Sequence, residues 1–138
     1  MTPAQQEAVK AEAISWLGTP YHHAGAIKKV GVDCARLVIE IFANAGVLKR
    51  FEPDAYPPDW HLHRSEEKYL LHVEQRAEEV LELDVGDLVV MKFGRTFSHG
   101  AVYIGAGEIV HAYVNRLVEA ARLADFADRD QKFFRVRA

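Results

Sequence analysis

The 138-residue sequence is 49% hydrophobic and 27% charged with a formal net charge of −3, the composition of one globular domain with a core of its own, expected to span 1–138. That balance leaves no basic footprint for nucleic acid, no apolar run is long enough to enter and cross a bilayer, and the single cysteine excludes an internal disulfide and a thiolate-rich zinc site. The start, Met1-Thr2-Pro3-Ala4-Gln5-Gln6, lacks the basic and apolar regions of a signal peptide, so synthesis in the cytoplasm without a leader is expected.

Residues 3–17 read as a first helix. Thr2 and Gln5 stand at capping-box spacing, Pro3 suits the first helical position, and Gly18 closes the pattern. Gly18-Thr19-Pro20-Tyr21 turns the chain, and residues 22–31 read as a loop. From Cys34 onward, apolar residues fall at 34, 37, 38, 41, 42 and 45, the stripe of a helix buried on one face. Asp33 stands at its N-cap and Gly46 just past its end. The thiol therefore lies at the first helical position, and two readings are open. It is a small apolar residue buried at a helix start, or it is a nucleophile whose pKa the helix amides and dipole lower toward neutrality.

Phe51 to Trp60 is irregular, and its Tyr56, Pro57, Pro58, Asp59 and Trp60 read either as a groove wall or as a loop capping the core. Residues 65–80 resume a helical pattern in which Glu66, Glu67, Glu74, Glu78 and Glu79 form a solvated face. The period then changes. Residues 86–91, 99–104 and 108–113 read as strands, with 133–137 as an edge strand. Helices first and an antiparallel sheet second make an α+β domain. A three-residue loop, Gly105-Ala106-Gly107, sets Ile104 opposite Glu108, His111 opposite Ala101 and His99 opposite Tyr113. Both histidines then share one face, whereas a slip of one residue separates them. Alone, each reads as a strand histidine. With the Cys34 helix packed on that face, they supply a base and an orienter for an activated nucleophile. His22, His23, His61 and His63 lack the carboxylate spacing of a metal site and read as surface or rim residues, so no metal or organic cofactor is expected.

The ordered pieces Leu17-Gly18-Thr19-Pro20-Tyr21, Gly31-Val32-Asp33-Cys34, Ser98-His99-Gly100-Ala101-Val102-Tyr103-Ile104-Gly105 and His111-Ala112 resemble the NlpC/P60 papain-like cysteine peptidases, more closely their phage-tail subgroup. The resemblance implies a papain-like α+β fold with the nucleophile helix packed on an antiparallel sheet. It makes Cys34 the nucleophile, His99 the general base, His111 the orienter and Tyr21 a residue lining the site. Leu88 belongs to a Gly-Asp-Leu-Val stretch that opens the sheet in the family. The implied activity is hydrolysis of an amide in the peptide stem of bacterial peptidoglycan, typically between D-glutamate and diaminopimelate. A virion or tail-like particle is the implied carrier, with other tail proteins as partners.

One departure stands beside the nucleophile, where Ala35-Arg36 replaces the family's usual Ser-Gly. Arg36 either pairs with Glu40 one turn later or binds a substrate carboxylate at the cleft. Two alternatives share the field: a non-catalytic tail-assembly or tail-tip protein of the same fold, and an intracellular cysteine amidase acting on another small amide.

Overall fold

The structure, a computed structural model, describes residues 1–53 and 68–138, with the side chain of Lys68 left out. Helix α1 (Pro3–Ser15) starts as its capping box requires: the Thr2 hydroxyl accepts from the Gln5 amide at 3.1 Å, and Gln5 Oε1 accepts from the Thr2 amide at 2.8 Å. Where a loop was expected after Tyr21, two short strands pair antiparallel, β1 (Ala26–Ile27) with β2 (Gly31–Val32). Helix α2 (Cys34–Asn44) begins at Asp33, whose carboxylate accepts from the Arg36 amide at 2.9 Å. It ends before Gly46, which carries the left-handed φ of +75° that closes such helices.

Helix α3 (Lys68–Arg76) stops four residues short of the expected end, because Ala77–Val80 is strand β3. Glu78 and Glu79 suit a solvated helix face equally well, but β3 pairs along its whole length with β8 (Gln131–Val136), Ala77 opposite Val136 and Val80 opposite Phe133. Long-range pairing overrides the local pattern here. The expected wall Tyr56–Trp60, His61, His63, Glu66 and Glu67 lie outside the described residues.

The main sheet runs β3-β8-β4-β5-β6-β7, with β4 (Leu88–Phe93), β5 (Thr96–Gly105), β6 (Glu108–His111) and β7 (Glu119–Arg122), every pair antiparallel. Two expectations change. The 133–137 segment is not at the edge but between β3 and β4, and the far edge is β7, whose sequence Glu-Ala-Ala-Arg carries no strand signal.

Both faces of the sheet are covered. Leu88, Val90, Val102, Val110 and Phe134 pack with Leu37, Val38, Ile41 and Phe42 of α2 and with Val9 and Ala13 of α1. Val89, Met91, Ala101 and Ile109 pack on the other side with Phe126 and Leu123, which lie in a 3-10 turn after β7.

The hairpin between β5 and β6 reaches the expected register by an unexpected route. Its turn has two central residues, Ala106 and Gly107, both with positive φ (54° and 76°), as a type I′ turn demands. Gly105 pairs with Glu108, yet Tyr103 pairs with Ile109, so Ile104 is an extra residue, a β-bulge. That extra residue shifts the ladder by one and restores Val102 opposite Val110, which sets His111 beside Ala101.

Candidate active site

Cys34 occupies the first position of α2 and is 7% exposed. Its Sγ meets the backbone of β5 on both sides of His99. The thiol donates to the Ser98 carbonyl at 3.8 Å, and the Gly100 amide lies close enough to draw the thiol pKa down. At the same place β5 bulges: Met91 pairs with His99 and Lys92 with Phe97, leaving Ser98 without an opposite residue. Bulges of this kind re-aim side chains beside functional sites.

The expectation of a thiol titrating near neutrality is corrected. Burial, and after it the adjacent Asp33 carboxylate, push the Cys34 thiol up to about 12, against the pull of the Gly100, Ala35 and Cys34 amides. Asp33 is needed where it is, because its carboxylate also accepts from the Ala24 amide at 2.7 Å and so ties the β1 loop to the helix start. Burial thus favours the neutral thiol over the thiolate.

His99 and His111 come together as the register requires. His99 Nε2 and His111 Nδ1 are 2.8 Å apart, the two rings nearly perpendicular at 88°. Both are buried, at 4% and 0% exposure. Phe93 stacks on the His99 ring at 4.3 Å, and Phe126 meets His111 edge-on at 5.4 Å. The histidines belong to the sheet face of Met91 and Ala101, whereas the bulk of α2 packs on the opposite face. The condition that α2 rest on the histidine face is therefore not met; Cys34 instead abuts the strand backbone that carries His99. Burial lowers the His111 pKa from its ordinary value, opposed by the Glu119 charge and aided by Arg116.

Tyr21 joins the group. It bridges to Val32, and its hydroxyl pKa is raised by burial and then by the charges of Cys34 and Asp33. Arg36 does not make the pair with Glu40 that the sequence offers. Its Nη1 pairs with Glu52 Oε2 at 2.7 Å, while Glu40 is taken by Arg50 at 2.8 Å, so the Arg36–Glu40 pair does not form. The chain returns past Gly46 and delivers Arg50 to the carboxylate that lies one turn from Arg36.

A residue that the sequence reading missed is Tyr69 of α3, buried, with a hydroxyl packed against Gly100 and a pKa raised by burial and then by Cys34 and Asp33. A glycine inside a strand is the available signal, since it marks a close approach. An apolar groove between α2 and α3, lined by Ala35, Val38, Phe42, Phe51 and Val73 among others, includes neither Cys34 nor His99 nor His111. Among the described residues no group of three or more His, Cys, Asp and Glu side chains is placed to hold a metal, and no helix is long and apolar enough to cross a membrane.

The model of the NlpC/P60 family matches residues 18–129. No curated protein matches the chain. Among solved structures, the NlpC/p60 domain of the peptidoglycan hydrolase SagA is 20% identical at a TM-score of 0.62, covering 92% of this chain and 96% of that one. RipD of Mycobacterium tuberculosis, described as a non-catalytic NlpC/p60 domain protein adapted to peptidoglycan binding, is 20% identical at 0.64, covering 96% and 97%. A lipoprotein-like NLP/P60 family protein of Staphylococcus aureus is 19% identical at 0.69; all of this chain aligns, spanning 43% of that one. These likenesses are of fold: helices with an antiparallel sheet, papain-like in plan, with three α-helices among the described residues of this chain. With the family model spanning most of its length, the chain belongs to the NlpC/P60 family.

Proposed function

We propose that the protein is a cysteine peptidase that hydrolyses an amide in the peptide stem of bacterial peptidoglycan, between D-glutamate and diaminopimelate. The observation that carries this reading is the 2.8 Å His99–His111 hydrogen bond on the strand whose backbone the Cys34 thiol touches. A purely structural cysteine has no use for two buried, mutually bonded imidazoles on the strand it touches and the strand next to it.

In this reading Cys34 gives its proton to His99 as sulfur attacks the carbonyl, rather than resting as a preformed thiolate, because burial holds the thiol neutral. The carbon–sulfur bond forms, the carbonyl oxygen takes the negative charge, and the amides at the start of α2 stabilise it. Protonated His99 then hands its proton to the departing amine. Water, with His99 again as base, cleaves the thioester and returns the thiol. His111 holds the His99 ring in place throughout. The resemblance of these motifs to the phage-tail subgroup is the ground for adding delivery by a tail-like particle to the proposal, to be checked by mass spectrometry of purified particles.

The test is amine release from peptidoglycan sacculi and from synthetic stem peptides containing the D-glutamate–diaminopimelate linkage. Release by the native protein and none by Cys34→Ser is expected. One observation favours a second reading, a domain that binds wall peptide without cutting it: the thiol is 7% exposed and pushed up to about 12. Co-sedimentation with sacculi and no amine release would select that reading.

A further inference from the structure

We infer that Glu119, on the edge strand β7, is a positioning residue that fixes the tautomer of His111 and through it the protonation pattern of His99. Glu119 pairs directly across the ladder with His111. Its Oε1 lies 3.9 Å from His111 Nε2, and both of these atoms are buried without a hydrogen-bond partner. Arg116 Nη1 is 3.2 Å from the same carboxylate oxygen, out of line for a hydrogen bond but close enough to hold the side chain over the histidine.

A single proton lies between the two rings, and the carboxylate decides which ring donates it. His99 uses Nε2 toward His111, so Nδ1 is the only nitrogen it has left to act as a base. As a neutral base at Nδ1, His99 carries its proton on Nε2 and donates it to His111. His111 Nδ1 must then be the acceptor, which places the His111 proton on Nε2. A buried Nε2–H needs an acceptor of its own, and Glu119 Oε1 faces it. The other groups around the His111 ring, Phe126 and Tyr113, offer ring contacts. If the carboxylate is removed, nothing shown around Nε2 rewards a proton there. The inter-ring bond is then free to reverse, leaving the His99 proton on Nδ1, where it blocks the base. The Nε2–H tautomer follows from the Glu119 carboxylate that faces this nitrogen; the base role of His99 and the effect on turnover rest on the proposed peptidase reading.

Nitrogen-15 NMR of the histidine rings reads the tautomer directly, and stem-peptide turnover reads its effect. In the native protein His111 is expected as the Nε2–H tautomer and His99 as its Nε2–H partner. In Glu119→Leu, on an edge position with the side chain 34% exposed, His111 is expected to shift toward Nδ1–H. Turnover should then show kcat reduced about 10-fold or more and KM little changed, the cost of a wrong tautomer behind a base. Glu119→Gln keeps an acceptor oxygen and is expected to retain both the tautomer and most of kcat. A native His111 carrying its proton on Nδ1 overturns the inference, and needs no variant to be seen. So does an unchanged Nε2–H tautomer in a folded Glu119→Leu. Expected tautomers in a protein that cleaves no stem peptide leave the positioning intact and remove the peptidase reading instead.

Discussion

The Tyr69 hydroxyl stands where a side chain on Gly100 would begin, so α3 and β5 close on one another only because residue 100 is glycine. The contact lies beside the nucleophile, since the Gly100 amide faces Cys34 Sγ. Gly100→Ala is therefore expected to cost about 1–3 kcal/mol, the usual penalty for overpacking, and to lose activity with it. Tyr69→Leu in the same chain relieves the clash. Chemical denaturation of both single variants and the double should show the double less destabilised than the sum.

The buried thiol makes a statement about pH. Below pH 8, Cys34 is protonated whether the chain is folded or unfolded. Above the ordinary thiol pKa of about 8.5, the unfolded chain loses that proton while the folded one keeps it up to about 12. Stability thus falls as pH rises through this window, by about 1.4 kcal/mol per unit from this group. Denaturant midpoints measured from pH 8 to 11 should decline less steeply in Cys34→Ala. Iodoacetamide alkylation of the native protein should keep accelerating above pH 9 rather than level off below it.

Removing either histidine separates the two parts of the dyad. His99→Ala is expected to abolish amine release, because no other base lies on the strand that Cys34 touches. His111→Asn or Gln should keep part of it, since an orienter only has to accept one hydrogen bond from His99 Nε2. Equal loss in all three variants would count against separate roles.

Arg36 is engaged by Glu52 at 2.7 Å across a partly exposed surface. Arg36→Ala is expected to cost at most about 1 kcal/mol, as such pairs do, and to leave KM for stem peptides within about twofold. A tenfold rise in KM at constant kcat would instead assign the guanidinium to a substrate carboxylate, released from Glu52 on binding.

The parts of the site carried by short motifs were legible in the sequence. Asp33 before an amphipathic stripe places Cys34 at a helix mouth, and strand alternation around a glycine hairpin brings His99 to His111. What escaped was set by tertiary partners. Tyr69 reaches the site because α3 folds back on β5, and only Gly100 hinted at its approach. Glu119 reaches it through β7, whose four residues look like neither strand nor site. The titration of Cys34 is not legible locally, because a helix terminus stabilises a thiolate while burial, decided by the whole core, favours the thiol more strongly. In the same way the local pattern of β3 continues that of α3, since the strand it pairs with lies more than fifty residues further along.

The bulge at Ile104 has a consequence for how the chain finds its fold. Strand β6 has apolar residues pointing both ways, Ile109 to one face and Val110 to the other, both fully buried. If the bulge ironed out and the strand slid by one position, hydrophobic burial alone would scarcely register the error. His111 would register it, because the slip carries it away from His99 into the aliphatic side of the sheet, at a cost of about 1–3 kcal/mol for a polar group left unmet. The pair read here as chemistry thus also acts as an address label, telling an ambiguous strand which way up it lies. His111→Ala, deprived of that label, is expected to give doubled amide resonances along β6, the spectrum of a hairpin undecided between two alignments.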